Sequence, residues 1–275
     1  MIPPSAVKQS LSSVLLDNEP VNSEIFRLDF EWEGNAPRAG QFFMIKPERT
    51  SVFLGRPVSA ASWTIAKGKK SAAGFLVARR GRGTEELAGM RPGEKAELTG
   101  PLGNAWADFL PPPDGRKIAL VGGGVGVAPL EAFAAELAGR GDNRGNRCGF
   151  DFYAGFKTGP GKEERRGILG PALFPNGELI VAAEDGGGGC LRGRIPDFLD
   201  PAKYGAVYAC GPEAMLKTAA AKCAALKVPC FIGMERRMAC GVGACLGCTI
   251  KTTDGNRRCC ADGPVFEAER IIFDE

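Results

Sequence analysis

Short apolar runs between turn signals dominate the first hundred residues. Ile25-Phe-Arg-Leu-Asp-Phe30, Gln41-Phe-Phe-Met-Ile-Lys46, Gly74-Phe-Leu-Val-Ala-Arg79 and Lys95-Ala-Glu-Leu-Thr99 each have strand length. Strands this closely spaced predict a small antiparallel β-barrel, with Gly100-Pro-Leu-Gly103 closing it. Pro111-Pro-Pro-Asp-Gly115 is the clearest linker in the chain. Beyond it the pattern changes. Lys117-Ile-Ala-Leu-Val121 reads as a buried strand, Gly122 to Pro129 as a turn, and Leu130 to Leu137 as a helix. Strands follow at Cys148 to Ala154, Glu178 to Ala183 and Ala206 to Cys210, then a helix from Glu213 to about Leu226. This alternation predicts an α/β domain with a parallel sheet and helices on both faces. From Val228 onward the chain is rich in glycine and cysteine. The expectation is a multidomain chain: a barrel over 1–110, an α/β domain over 114–227 and a small C-terminal unit over 228–275. Asp185-Gly-Gly-Gly-Gly189 reads as a flexible loop within the second domain.

Composition narrows the class. The chain has 275 residues, 44% of them hydrophobic and 24% charged, which is ordinary for a globular protein. A net charge of +3 is too small to argue for nucleic acid or a membrane surface. No apolar stretch has membrane-spanning length and the N-terminus lacks a signal-like apolar core, so a cytoplasmic location is expected. Ten cysteines without an export signal point to a reducing compartment, with thiols serving metal binding or packing. The chain contains no histidine. That excludes Rieske-type ligation and every His-based acid, base or nucleophile scheme, and leaves the hard chemistry to cofactors.

The strongest chemical signal lies near the C-terminus. Cys240, Cys245 and Cys248 form C-x4-C-x2-C, followed by Cys259 and Cys260. This is plant-type spacing for a 2Fe–2S cluster. No regular helix or strand points three such positions at one centre, so the loop must wrap, and Gly241, Gly243 and Gly247 give it that freedom. Zinc fits less well, because only Cys245 and Cys248 form a knuckle-like pair. Adjacent Cys259 and Cys260 cannot easily both face one metal, and spacing alone leaves open which is the fourth ligand.

Other signals are weaker singly. Arg56-Pro57-Val58-Ser59 offers a planar cation for a diphosphate and a hydroxyl for a flavin edge, and equally describes a turn arginine with a solvated serine. Gly83-Thr84 before Glu85-Glu-Leu87 predicts a helix capped by Thr84 with free N–H groups behind it. Gly122, Gly123, Gly124 and Gly126, with Pro129, follow a strand and open a helix, the setting of a nucleotide-binding turn. The dinucleotide fingerprint is incomplete, since Val127 stands where its last glycine belongs, and no clear acidic residue follows at the distance that would separate NAD from NADP. Cys210-Gly211-Pro212 ends a strand at the edge where such sheets bind ligands, so Cys210 is a candidate for a nicotinamide pocket, although a lone cysteine is more often core.

In this order the pieces resemble one family, the electron-transfer subunit of bacterial class 1B dihydroorotate dehydrogenase, within the ferredoxin–NADP reductase superfamily. The resemblance runs over nearly the whole chain and is most specific at Glu235-Arg-Arg-Met-Ala-Cys-Gly-Val-Gly-Ala-Cys-Leu-Gly-Cys248 and Cys260-Ala-Asp-Gly-Pro-Val-Phe266. It implies Cys260 as the fourth iron ligand, and FAD contacts from Arg56 to Ser59, from Gly83-Thr84 and from the strand segment Leu76, Val77 and Ala78. Its cofactors are FAD and a 2Fe–2S cluster, with NAD as substrate. Its partner is an FMN-containing catalytic subunit that oxidises dihydroorotate in pyrimidine (UMP) biosynthesis, as a heterotetramer of two of each. It implies electrons crossing singly through the cluster to FAD, then a hydride passing to NAD+. One departure is the loop Asp185-Gly-Gly-Gly-Gly-Cys-Leu-Arg-Gly193, where the family has D-G-S-x-G-x-x-G. Two rivals remain: the small subunit of an NAD(P)H-dependent ferredoxin oxidoreductase or sulfide dehydrogenase, and a zinc-bearing regulatory module without redox activity. Arg236, Arg237, Arg257 and Arg258 flank the cysteines and are expected to form a basic rim toward an acidic partner surface.

Overall fold

A computed structural model describes residues 8–64, 71–110, 115–139, 149–161, 163–164 and 177–273. The proline linker before Gly115 and residues 162 and 165–176 lie outside them.

Strands β1 (Gln9–Pro20), β2 (Ile25–Glu31), β3 (Phe42–Pro47), β4 (Arg56–Thr64), β5 (Ala72–Ala78) and β6 (Lys95–Leu102) form a closed barrel in the order β1-β2-β5-β4-β3-β6. The closing pair is β6 with β1, in register from Gln9 opposite Gly100 to Val14 opposite Lys95. Closure leaves no free sheet edge. Trp32, Phe43 and Phe75 fill the interior edge to face, with centroids 4.9 and 5.4 Å apart, the arrangement favoured by ring quadrupoles. A short helix, α1 (Arg82–Ala88), follows β5.

The second layer is a seven-stranded sheet in the order β10-β9-β8-β7-β11-β12-β15. Its members are β7 (Ile118–Gly123), β8 (Phe150–Phe156), β9 (Leu179–Ala183), β10 (Leu191–Arg192), β11 (Ala206–Cys210), β12 (Cys230–Gly233) and β15 (Val265–Glu267). All pairings are parallel except β12 with β15. β7 and β11 are buried throughout, as expected of strands covered on both faces. Helices α2 (Val127–Gly139) and α3 (Glu213–Ala225) follow β7 and β11.

The cysteine-rich stretch is joined to that sheet. β12 extends it and β15 caps its edge, and between them lie the cysteine loop and a hairpin of β13 (Thr249–Thr252) and β14 (Gly255–Arg258). Asn104 fastens this part to the barrel. Its side chain donates to Val265 O and accepts from Val265 N–H, both at 2.9 Å, and its own N–H donates to Gly263 O at 2.7 Å. Among the described residues, no helix is long and apolar enough to cross a membrane.

Candidate functional site

The barrel and the sheet meet around a cleft of about 730 Å3, within the usual range for cofactor sites. Arg56, Pro57, Val58 and Ser59 enter it from the start of β4, and Leu76, Val77 and Ala78 from the end of β5. Thr84 and Pro129 also line it. Gly83 lies under the Arg56 guanidinium, where an added Cβ would come within 2.3 Å of Arg56 Nε. Arg56 Nη1 donates to Leu54 O at 3.0 Å and Gly55 O at 3.3 Å, which fixes the fork in place.

Thr84 is not the helix cap. Helix α1 begins three residues after Arg79, with Gly81 as its N-cap. The Thr84 hydroxyl instead donates to Gly81 O and accepts from Arg80 N–H, both at 2.9 Å. The N–H groups of Thr84 and Glu85 also go to Gly81 O. The free amides expected behind a Thr84 cap are therefore occupied.

A second cleft of about 660 Å3 opens at the carboxyl edge of the parallel sheet, the edge where such sheets take ligands. Gly123, Gly124 and Pro212 line it. Gly122, Gly126 and Gly211 lie beneath it as packing points. A Cβ on Gly122 would meet Val127 at 2.7 Å, one on Gly126 would meet Cys210 O at 2.4 Å, and one on Gly211 would meet Gly123 N at 2.9 Å. These approaches bring the β7 turn and the end of β11 into backbone contact. Cys210 lines neither cleft. It is 5% exposed, behind Gly233 and Trp106, and burial followed by the nearby Glu235 charge pushes its thiol up.

The loop from Asp185 to Gly189, which departs from the expected pattern, has a definite role in shape. Asp185 Oδ1 accepts from Gly187 N–H at 2.8 Å and Gly159 N–H at 2.9 Å, tying two walls of the second cleft together. Those two bonds hold the carboxyl below its ordinary range.

The cysteine loop leaves the first cleft directly. Met234 to Met238 line that cleft, and Cys240 follows two residues later. Glu235 opens onto the solvent of the cleft, yet enough protein surrounds its carboxyl for burial to raise it. Gly241 and Gly243 have φ of +68° and +87°, the left-handed region that glycine enters without strain. Cys240 Sγ accepts N–H bonds from Val242 at 3.4 Å and Cys245 at 3.5 Å. Burial alone would raise this thiol, but backbone donors led by Cys245 bring it down to about 6. Cys248 Sγ accepts from Cys260 N–H at 3.4 Å. The thiols stand in two hydrogen-bonded pairs, Cys240 with Cys245 and Cys248 with Cys260, and Cys260 feels the Cys240 charge. Among the described residues, no three His, Cys, Asp or Glu side chains converge as a ready metal cage. The donor chemistry suits an iron–sulfur cluster all the same: four sulfurs, no carboxylate in the set, and backbone N–H groups on two of them. Cys259 is fully buried in the core beside Cys248 and Ile250, with its thiol pushed up to about 12, first by burial.

Two of the four rim arginines are committed internally. Arg258 bonds Asp262 through Nε and Nη2, both at 3.0 Å, and Gly243 O at 3.1 Å, stapling the cysteine loop to the Cys260 turn. Arg236 pairs with Glu213 at 3.2 Å. Arg237 and Arg257 remain exposed. The Arg258–Asp262 staple was hidden in the sequence because i,i+4 charge pairs occur everywhere. Arg80 and the Asn22–Ile25 turn line the clefts without a motif to announce them.

Comparison with known proteins agrees with this geometry. The family described as "Iron-sulfur cluster binding domain of dihydroorotate dehydrogenase B" matches residues 235–272. The dihydroorotate dehydrogenase B (NAD(+)) electron transfer subunit of Clostridium acetobutylicum is 36% identical over 259 residues, covering 94% of this chain and 96% of that one. Its namesake in Caldanaerobacter subterraneus is 33% identical, covering 97% and 100%. Among solved structures, an NADH-dependent reduced ferredoxin-NADP oxidoreductase matches with a TM-score of 0.75 at 23% identity, over 98% of this chain and 91% of that one. A ferredoxin NADP+ reductase from Neisseria gonorrhoeae, with bound FAD and NADP, matches with a TM-score of 0.61 at 17% identity, over 80% and 91%. These two likenesses speak to the fold. Sequence and architecture together place the chain in the family of dihydroorotate dehydrogenase B electron transfer subunits.

Proposed function

We propose that this chain carries electrons from a dihydroorotate-oxidising, FMN-containing catalytic subunit to NAD+, in pyrimidine biosynthesis in the cytoplasm, as two copies of each subunit. The observation that carries the reading is continuity: the segment that follows β12, Met234 to Met238, walls the first cleft and runs on into the cysteine loop. The second cleft adjoins the first across the β7 turn. Three sites of suitable chemistry therefore lie along one path. The barrel (1–110) is the flavin unit, 114–227 the nicotinamide unit, and 228–275 the cluster unit, anchored through β12 and β15.

FAD, a 2Fe–2S cluster and NAD are the groups this architecture serves. When bound, the flavin exchanges single electrons for a hydride and the cluster carries one electron at a time. Arg56 would hold the flavin diphosphate, Ser59 would offer a hydroxyl, Thr84 would wall the site beside Gly83, and the end of β5 at Leu76, Val77 and Ala78 would give the ring an apolar wall. Gly83 leaves the room that lets the Arg56 fork lie flat. Gly123, Gly124 and Pro212 would receive the nicotinamide nucleotide, with Gly122, Gly126 and Gly211 keeping the two strand ends close. Pro129 would wall the flavin cleft from α2, and Cys210 lies buried behind the clefts, out of reach of either group. Cys240, Cys245, Cys248 and Cys260 would hold the cluster. N–H groups on Cys240 and Cys248 would stabilise negative charge there and raise its potential. No protein acid or base is required, in keeping with a chain that has no histidine.

The test is reconstitution. The FAD- and cluster-loaded chain, assembled with an FMN-containing dihydroorotate dehydrogenase subunit, should reduce NAD+ at the expense of dihydroorotate. Either component alone should not. A loaded complex that passes electrons to NAD+ from reduced ferredoxin, but not from dihydroorotate, would favour the rival oxidoreductase reading.

A further inference from the structure

The two clefts share one side chain. Among the described residues, Arg80 alone lines both. It sits in the short connection between β5 and α1, and its backbone is held from two sides. Its N–H donates to Thr84 Oγ1 at 2.9 Å. The neighbouring Arg79 N–H donates at 2.8 Å to Glu24 O, in the turn that walls the second cleft. Its guanidinium is exposed and makes no ion pair or hydrogen bond to another described residue. Of the other cleft arginines, Arg56 is engaged with Leu54 O and Gly55 O, Arg236 with Glu213, and Arg194 with Asp197, while Arg237 is exposed and lines the first cleft only. A fixed backbone carrying a free cation at the junction of two clefts calls for an anion on each side. A guanidinium can meet that demand, because its planar fork presents donors along more than one edge.

We propose that Arg80 is a cation shared by the two dinucleotide sites, donating to a phosphate of the flavin dinucleotide on one side and of the nicotinamide dinucleotide on the other. The inference rests on the two-site reading above and adds a consequence. Two diphosphates held close together repel each other, and a cation between them offsets that repulsion. Arg80 therefore couples the two binding equilibria, and the coupling is reciprocal. Thr84 acts as a positioning residue, through its bond to the Arg80 backbone.

Equilibrium binding to the full-length, cluster-loaded chain tests this without turnover. FAD binding is read by fluorescence titration of the flavin-stripped protein. ADP-ribose binding is read by calorimetry on both the stripped and the FAD-loaded protein. Arg80→Gln should weaken both ligands, by roughly tenfold each, the size of one lost charge-assisted hydrogen bond. Arg56→Gln should weaken FAD alone, and Arg194→Gln ADP-ribose alone. In Arg80→Gln, ADP-ribose should also bind the FAD-loaded protein several-fold more weakly than the stripped protein, a difference small or absent in the wild type. A change confined to one ligand, or no change in either, overturns the shared-cation proposal while the two sites stand. Failure of the wild-type chain to bind one of the ligands overturns the two-site reading, and this proposal with it.

Discussion

The cysteine loop and the paired clefts, the proposed sites of the redox groups, are built in opposite ways. The loop is local: its four candidate sulfurs fall within 21 consecutive residues, 240–260, and its shape follows from left-handed glycines and one Arg258 staple. The clefts are assembled from afar. Arg56, Leu76 and Pro129 lie on β4, β5 and α2 and Met234 just past β12, yet all four meet in one of them. A local device is sensitive to single ligands and tolerant of its surroundings. A composite device is sensitive to close backbone approaches anywhere along its seams.

The largest effect should come from the loop. Cys240→Ser, Cys245→Ser, Cys248→Ser or Cys260→Ser should each abolish the visible absorbance of the cluster. Cys259→Ser should keep it, at a stability cost of about 1–3 kcal/mol from placing a hydroxyl in the core. Absorbance and thermal melts on the same samples separate the two. Loss of the cluster in Cys259→Ser, with retention in Cys260→Ser, would reverse the ligand assignment.

The seams come next. Gly126→Ala puts a Cβ 2.4 Å from Cys210 O, a backbone atom that cannot move cheaply. It should weaken ADP-ribose binding more than tenfold and lower stability by about 1–3 kcal/mol. Gly83→Ala meets only the Arg56 side chain, at 2.3 Å. It should weaken FAD by roughly tenfold, the loss of a well-placed charged contact, with little change in melting. If both substitutions leave their ligands untouched, the clefts are not built at these seams.

The smallest effect concerns the joint between barrel and sheet. Arg27 on β2 and Glu131 on α2 pair at 3.0 Å, with Glu131 6% exposed. Burial, opposed by Arg27, pushes the carboxyl up to about 7. Its charged form is therefore less favourable folded than unfolded. The group costs nothing below its unfolded pKa of about 4.5, and its cost builds as pH rises to about 7 and is complete above that. Denaturant titrations from pH 4.5 to 8 should show a loss of roughly 1–3 kcal/mol in the wild type, absent in Glu131→Gln. Flavin and cluster binding should be unchanged.

The same contrast explains what the sequence disclosed. The barrel, the alternating strands and helices, and the cysteine loop were legible because each is written in contiguous residues. The helix placed at Glu213 to Leu226 ends at Ala225, and the strand from Ala206 to Cys210 has those same limits. The cluster loop showed through its spacing. What stayed hidden was composite. Nothing near Cys230 or Val265 signals that they complete the second sheet, the latter antiparallel, since three- and four-residue strands carry too little pattern. Thr84 looked like a cap because a threonine before Glu-Glu-Leu often is one. The structure starts the helix earlier and spends that hydroxyl on Gly81 O and Arg80 N–H. Arg80 itself stood among four arginines between 79 and 91, with nothing local to distinguish it.

If the three proposed redox sites of this chain form a continuous path, electrons entering at the nicotinamide site reach the cluster. Anaerobic titration of the FAD- and cluster-loaded chain with NADH, followed by visible and electron paramagnetic resonance spectroscopy, tests it most directly. The account predicts about one FAD and one 2Fe–2S cluster per chain, with NADH reducing the flavin and then producing the signal of a reduced cluster. A flavin that NADH reduces while the cluster stays oxidised and silent, or zinc in place of iron, would contradict it.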